Sequence, residues 1–140
     1  MKYMLHIKAA AKGRMGGAKR NPYRVIAIRP EASLYQLAEE IIDSFDFDFD
    51  HCFGFFAGPA WHQSNEGYEL FSDIGEESRF PGVKRTKVES VFNDIGKKMI
   101  FLFDYGDEWL FDVEFTSIRL DESKAKPHVV KSVGPSPKQY

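Results

Sequence analysis

The feature that most constrains the fold is the segment 98–115, in which two apolar runs meet at a short acidic turn. After the turn, large apolar residues recur at every second position from Trp109 to Phe115, which is typical of a strand with one buried and one exposed face. Before the turn, residues 99–103 are apolar throughout, which predicts an interior strand. Gly106-Asp107 favours a two-residue type II′ turn, because glycine accepts a positive φ. The segment therefore predicts an antiparallel β-hairpin.

Two helices are predicted outside this hairpin. Ser33 followed three residues later by Gln36 forms a capping-box pattern, and apolar residues then recur at helical spacing over residues 34–45. A shorter helix is predicted over about residues 87–95, ending at Gly96. Its expected capping pair and buried residues are Thr86 with Glu89, and Val88, Val91, Phe92 and Ile95.

The remaining pattern predicts an α+β fold in one domain, residues 1–140. Strands are expected at residues 3–9, 23–29, 51–57, 68–71 and 129–133. No internal repeat, low-complexity tract or change in composition marks a domain boundary. We therefore predict an antiparallel or mixed sheet that is curled around, or covered by, the helix at 34–45.

Cysteine content and hydropathy bear on the setting of the chain. Cys52 is the single cysteine, so no internal disulfide can form, and we expect it to behave as a small buried hydrophobe. The sequence shows no signal peptide and no apolar run of membrane-spanning length. These features predict a cytoplasmic protein without a membrane partner.

The turn also carries a family resemblance. Phe103-Asp104-Tyr105-Gly106-Asp107-Glu108-Trp109 is similar to the Y-D-F/Y-G-D-x-W hallmark of the Ri-plasmid open-reading-frame-three-like proteins, which also occur as passengers of insertion elements. Residues 22–26, 34–45 and 50–53 resemble further landmarks of that family. The chain departs from it at Tyr23, where many relatives have Trp, and at 134–140, which replaces a Cys-, Glu- and Gly-rich ending. The resemblance implies a compact prokaryotic α+β domain, often from a mobile element, and no catalytic residue.

The acidic turn allows two interpretations. Five carboxylates lie within eleven residues without a compensating base, namely Asp104, Asp107, Glu108, Asp112 and Glu114. Converging carboxylates could bind a hard cation or supply a general acid and base. Alternatively, aspartate serves the backbone of the turn, and a solvated acidic face discourages edge pairing. If the turn instead binds a partner, Tyr105, Asp107 and Trp109 are the expected contact residues.

His51 is the histidine of most interest, because it follows Asp50 in a family landmark. With Asp104 and Asp107 it could bind a transition metal or shuttle a proton. It could equally tie a strand end to a carboxylate or carbonyl by a hydrogen bond. The spacing of the four histidines and the lone cysteine does not match a zinc site, and we predict no cofactor.

Charge is distributed unevenly along the chain. Residues 1–29 hold eight bases and no acid, whereas residues 30–78 hold twelve acids and no base. The Gly-rich loop at 12–20 could follow a phosphate backbone through Lys12, Arg14, Lys19 and Arg20. Alternatively, these bases neutralise acidic residues elsewhere on the surface of the same molecule. The isoelectric point near 6.1 lies below the value expected of a dedicated nucleic-acid binder.

Three common motifs are incomplete. A P-loop beginning at Gly13 would place Ala18 at its second glycine and Arg20 at its hydroxyl position. An EF-hand beginning at Asp46 would place His51 at its glycine and Ala57 at its glutamate, so Phe45, Phe47 and Phe49 are expected to be buried instead. The G-x-S-x-G nucleophile motif is absent.

We therefore predict a binding or interaction module without catalytic activity, whose partner is an unidentified protein or small ligand. The alternatives are a nucleic-acid-binding accessory protein that uses loop 12–20 and a metal-dependent enzyme that uses His51, Asp104 and Asp107. Convergence of those three residues with Trp109 on one concave pocket would favour a functional site at the turn.

Overall fold

The predicted hairpin lies at the centre of one antiparallel sheet. The computed structural model describes residues 3–121 and 126–140, and within them seven strands pair in the order β4-β3-β5-β6-β1-β2-β7. The strands are β1 (Tyr3–Arg14), β2 (Tyr23–Ile28), β3 (Phe53–Phe56), β4 (Gly67–Glu69), β5 (Lys98–Phe103), β6 (Trp109–Leu120) and β7 (His128–Val133). Every pairing is antiparallel, with Phe103 opposite Trp109 at the hairpin end. The sheet, predicted to be antiparallel or mixed, is antiparallel, and the strand before the turn is interior as predicted.

The main helix, α1 (Leu34–Ser44), begins as the sequence predicts. The backbone N–H of Gln36 donates to Ser33 Oγ at 3.1 Å, and the backbone N–H of Ser33 donates to Gln36 Oε1 at 2.9 Å. This reciprocal pair satisfies two amides that the first helical turn would otherwise leave unpaired. Phe45 caps the helix at its C-terminus.

The second predicted helix is much shorter than expected. It is a single turn, α3 (Val88–Val91), and not a helix over 87–95. The Thr86 hydroxyl donates to Gly82 O at 2.6 Å instead of capping the helix, and the Glu89 N–H donates to Pro30 O. At its C-terminal end the helix stops because Phe92 leaves the helical conformation (φ −90°, ψ 73°), and the N–H of Gly96 then donates to Phe115 O of β6 at 2.8 Å. Ile95, expected to be buried, is 62% exposed.

Two other boundaries differ from prediction. Residues Leu70 and Phe71, expected in a strand, lie in a short helix, α2 (Leu70–Asp73). Strand β1 continues to Arg14 instead of stopping near residue 9, because it pairs with β6 along nearly its whole length. Two irregularities in the register, at His6/Ile7 and Ala11/Gly13, accommodate this long pairing.

The core lies between α1 and one face of the sheet, here called the helix face. Alternate residues of β1, β2, β3, β5 and β6 point into it, including Ile7, Phe101 and Phe111, which are all fully buried. Phe45 and Phe47 are buried and Phe49 packs against the core, as the failed calcium pattern predicts. The opposite surface of the sheet is the open face. No helix within the described residues is long and apolar enough to cross a membrane.

Candidate functional site

The acidic turn is a five-residue loop, residues 104–108, and not the predicted two-residue type II′ turn. The N–H of Glu108 donates to Asp104 O at 2.7 Å and closes the loop. The positive φ angles belong to Asp104 (68°) and Glu108 (52°), and not to Gly106. Asp104 Oδ1 accepts hydrogen bonds from the N–H groups of Gly106 (3.0 Å) and Asp107 (3.2 Å). The carboxylate thus holds the left-handed conformation that glycine was expected to supply.

The aromatic residues of the turn hold it against the rest of the fold. Trp109 is 4% exposed and packs edge-on against Phe47, with a centroid distance of 4.8 Å. Tyr105 donates its hydroxyl to Glu69 Oε2 at 2.6 Å and contacts Phe71. Burial, reinforced by this hydrogen bond, raises the pKa of Tyr105. Both side chains therefore position the turn.

The structure brings His51 and Asp104 together but leaves Asp107 apart from them. His51 Nε2 lies 3.4 Å from Asp104 Oδ2 and 3.5 Å from Asp50 Oδ1. Asp107 Oδ2 instead lies 3.6 Å from Nη2 of Arg14. Among the residues that the structure describes, no group of three or more His, Cys, Asp or Glu side chains is arranged to hold a metal ion. The arrangement links a strand end to the turn through His51.

The end of the chain lies over this region and forms a segment that we call the C-terminal strap, residues 134–140. Gln139 is 8% exposed, and its side-chain amide bonds both backbone polar groups of Asp48. Gln139 Nε2 donates to Asp48 O at 3.1 Å, and the N–H of Asp48 donates to Gln139 Oε1 at 2.7 Å. The Tyr140 hydroxyl donates to Asp50 Oδ2 at 2.6 Å and lies 3.1 Å from His51 Nε2. Arg14 donates to Gln139 O at 2.7 Å. The sequence carries no local signal for these contacts, which join residues between 89 and 125 positions apart.

The basic candidates divide into two pairs. Lys12 and Arg14, predicted in a flexible loop, belong to strand β1. Lys12 Nζ lies 3.8 Å from Asp112 Oδ2, and Arg14 pairs with Asp107. Lys19 and Arg20 are exposed in the connection to β2. The two ion pairs favour the interpretation in which Lys12 and Arg14 neutralise acidic residues of the same molecule.

Sequence reasoning missed a groove on the open face beside the turn. This open-face groove has a volume of about 340 Å³, and its lining includes Met15, Pro59, Trp61, Ile100, Glu108 and Leu110. A second depression of about 360 Å³ shares Pro59 and Ile100 with it and extends the groove along β5 and β6. The Trp61 indole donates to Glu108 Oε1 at 3.2 Å, which fixes the ring at the rim. Period-two spacing places Ile100 and Leu110 on this face, but it cannot reveal which loops border them.

Tyr140 and Asp50 supply a pH-dependent prediction. Their hydrogen bond raises the pKa of Tyr140 to about 12 and lowers the pKa of Asp50. A raised tyrosine pKa stabilises the docked strap below the ordinary value near 10, and this contribution is lost as pH rises toward 12. A lowered aspartate pKa stabilises it above the ordinary value near 3.8, and this contribution is lost as pH falls further.

The titration of Tyr140 at high pH can be measured by tyrosinate absorbance. The titration of the protein minus that of its Tyr140→Phe variant isolates Tyr140 and should show a midpoint near pH 12. Far-UV circular dichroism over the same range controls for unfolding. A midpoint near the ordinary value of 10 in the folded protein would contradict the bond to Asp50.

These features define a class: a small α+β domain with a seven-stranded antiparallel sheet, one long helix on its helix face and an acidic aromatic turn between the central strands. The chain belongs to the family described as plasmid pRiA4b ORF-3-like protein, which it matches over residues 12–139. The predicted family membership is confirmed.

A solved structure supports the same fold. The protein of unknown function MM3350 from Methanosarcina mazei Go1 superposes with a TM-score of 0.73 at 18% sequence identity, covering 94% of this chain and 70% of that one. At this identity the likeness shows the fold alone. No curated protein matches the sequence.

Proposed function

We propose that the protein is a binding module without catalytic activity, and that an extended segment of a partner protein binds in the open-face groove. The observation that carries the proposal is Met15, which is 73% exposed at the groove beside the fixed indole of Trp61. Exposed methionine is common at peptide-binding surfaces, because its flexible thioether adapts to different apolar side chains. A neighbouring tryptophan adds a large, rigid contact area.

The shape and charge of the groove indicate the chemistry of the segment. Leu110 to Glu114 on β6 spans about 14 Å, the length of about four residues of extended chain. Apolar Ile100 and Leu110 alternate with charges of both signs, including Lys12 and Asp112. A segment that alternates apolar residues with charges of both signs would match this surface.

The groove favours a protein partner over a nucleic acid. Three acids, Glu108, Asp112 and Glu114, balance the three lysines of its lining, so the groove offers no net positive charge to a phosphate backbone. The ion pairs of Lys12 and Arg14 also reduce the charge available for phosphate. In this proposal, the turn that carries Glu108 is held in place by Tyr105, Asp107 and Trp109.

The test is selection of peptides from a random display library against the whole protein. Peptides that bind the groove should lose about tenfold or more in affinity for a Met15→Glu variant, because the change removes an apolar contact and adds a charge. Ile95→Glu is the matched control, since Ile95 is 62% exposed and is not part of the groove lining. We expect it to bind like the unmodified protein.

Two outcomes would contradict the proposal. One is a selection that enriches no peptide. The other is a set of peptides that binds the Met15→Glu variant as tightly as the unmodified protein, which would place their site elsewhere. Circular dichroism of both variants confirms that the comparison concerns folded protein.

A further inference from the structure

We infer that the C-terminal strap occupies a second peptide-binding site, and that this site accepts an external segment with glutamine followed by tyrosine when the strap is displaced. The site is formed by the backbone of Asp48, the carboxylate of Asp50 and the guanidinium of Arg14. It is distinct from the open-face groove, whose lining does not include Arg14, Asp48 or Asp50.

Recognition of glutamine is specific in this geometry. The amide of Gln139 matches the N–H and C=O of Asp48 as a neighbouring strand would, and its Nε2 also donates to Asp50 Oδ1 at 3.2 Å. A glutamate in its place would have no donor for Asp48 O and would bring a negative charge to Asp50. An asparagine would be one methylene too short to reach both groups. The buried position of Gln139 strengthens the selection, since unmatched polar groups there lose their bonds to water.

Recognition of tyrosine depends on its hydroxyl. Tyr140 is 68% exposed, so its ring contributes little apolar burial. Its hydroxyl, however, donates to Asp50 Oδ2 at 2.6 Å and lies within hydrogen-bond distance of His51 Nε2. A bond to a charged acceptor is stronger than one between neutral groups. A phenylalanine at this position should therefore bind much more weakly.

The two halves of the strap, which we call its base (residues 134–136) and its tip (Gln139 and Tyr140), are held by separate sets of contacts. Arg24 holds the base by donating to Gly134 O at 3.0 Å and to Ser136 Oγ at 3.1 Å. Gly134 has a φ of +83°, and an added Cβ would come within 2.9 Å of Pro22, so the bend at the base requires glycine. The tip is held through polar contacts of Gln139 and Tyr140, and residues 135–140 form neither helix nor strand. Polar contacts of this kind can be exchanged for equivalent contacts from another chain.

The experiment uses the full chain with the tip changed, as a Gln139→Ala/Tyr140→Ala double variant, and a synthetic peptide of residues 134–140 with blocked ends. Calorimetric titration should show the peptide binding the double variant about tenfold or more tightly than the unmodified protein, in which the tethered strap competes at millimolar effective concentration. A Tyr140→Phe version of the peptide should bind about tenfold more weakly, since it lacks the bond to Asp50.

Asp50 and Asp43 supply matched changes of an acid. Adding Asp50→Ala to the double variant should weaken binding about tenfold or more, because it removes the acceptor of the tyrosine hydroxyl and one acceptor of the glutamine amide. Adding Asp43→Ala should leave binding unchanged, because Asp43 is an exposed acid of α1 outside the contacts of the strap. Binding that Asp50→Ala leaves unchanged would overturn the inference, and so would a folded double variant that binds no peptide.

A measurement on the unmodified protein covers the case in which the double variant does not fold. The side-chain amide of Gln139 should give protected, shifted NMR resonances while the strap is docked. Excess peptide should move these resonances to the values of a free glutamine. Resonances that stay in place at saturating peptide would also overturn the inference.

Discussion

Replacing Trp109 with alanine should lower the free energy of unfolding by about 3–5 kcal/mol, the usual cost of removing a buried large aromatic side chain. Trp109 is 4% exposed, packs against Phe47 and lies beneath the guanidinium of Arg14, 5.2 Å from its ring. The substitution leaves a cavity next to the turn and removes the surface on which Arg14 rests. Urea unfolding followed by circular dichroism measures the loss.

Trp109→Phe tests whether a smaller aromatic ring can fill the site. Among the described residues, Nε1 of Trp109 is buried without a hydrogen-bond partner, so phenylalanine removes an unsatisfied donor and keeps most of the apolar contact. We expect a loss below about 2 kcal/mol. If alanine and phenylalanine destabilised the protein equally, the site would require the full outline of the indole and not only an aromatic ring. A stable alanine variant would contradict the role of Trp109 as the anchor of the turn.

Elements with a complete local signal were predictable from the sequence. The capping box that starts α1 is formed by Ser33 and Gln36, which lie within four residues of each other. The alternation from Trp109 to Phe115 specifies which face of β6 is buried. The prediction of a helix over 87–95 failed at its end, where a contact distant in sequence takes over. Beyond the single turn of α3 the chain leaves the helix, and the N–H of Gly96 donates to Phe115 O, a bond that no local pattern reveals.

The candidate site was predicted in part for the same reason. His51 and Asp104 come together because β3 pairs with β5, a contact that the two strand patterns allow but do not require. The strap depends on pairs about 90 residues apart, and the sequence gives no periodicity for residues 134–140. The turn itself was mispredicted, because a carboxylate at Asp104 supports a positive φ that residue preferences assign to Gly106.

The acidic cluster at 104–114 receives compensating bases through the pairing of β1 with β6. The basic first strand lies beside the acidic one, so that Lys8 is opposite Glu114 and Lys12 pairs with Asp112. Cross-strand pairs of opposite charge stabilise a sheet by a few tenths of a kcal/mol to about 1 kcal/mol each. The acidic cluster has no base beside it in the sequence, but in the structure strand β1 supplies bases from the other end of the chain.

A second large loss of stability is expected when Asp104, the first residue of the turn, is replaced. Alanine at this position loses two hydrogen bonds to backbone N–H groups, each worth about 1 kcal/mol, and must hold a φ of 68°, which costs a further 1 kcal/mol or so. We expect Asp104→Ala to lower the free energy of unfolding by about 2–4 kcal/mol in urea.

Asp104→Asn distinguishes the backbone hydrogen bonds of the turn from the contact with His51. Asparagine keeps an oxygen for the N–H groups of Gly106 and Asp107 and tolerates a positive φ, but it removes the carboxylate charge that faces His51. A loss of under about 1 kcal/mol is expected, because the His51 side chain is 37% exposed and charge contacts of exposed groups contribute little. If asparagine were as destabilising as alanine, the contact with His51 would be the main contribution of Asp104. The acidic turn would then depend on charge and not on its backbone hydrogen bonds.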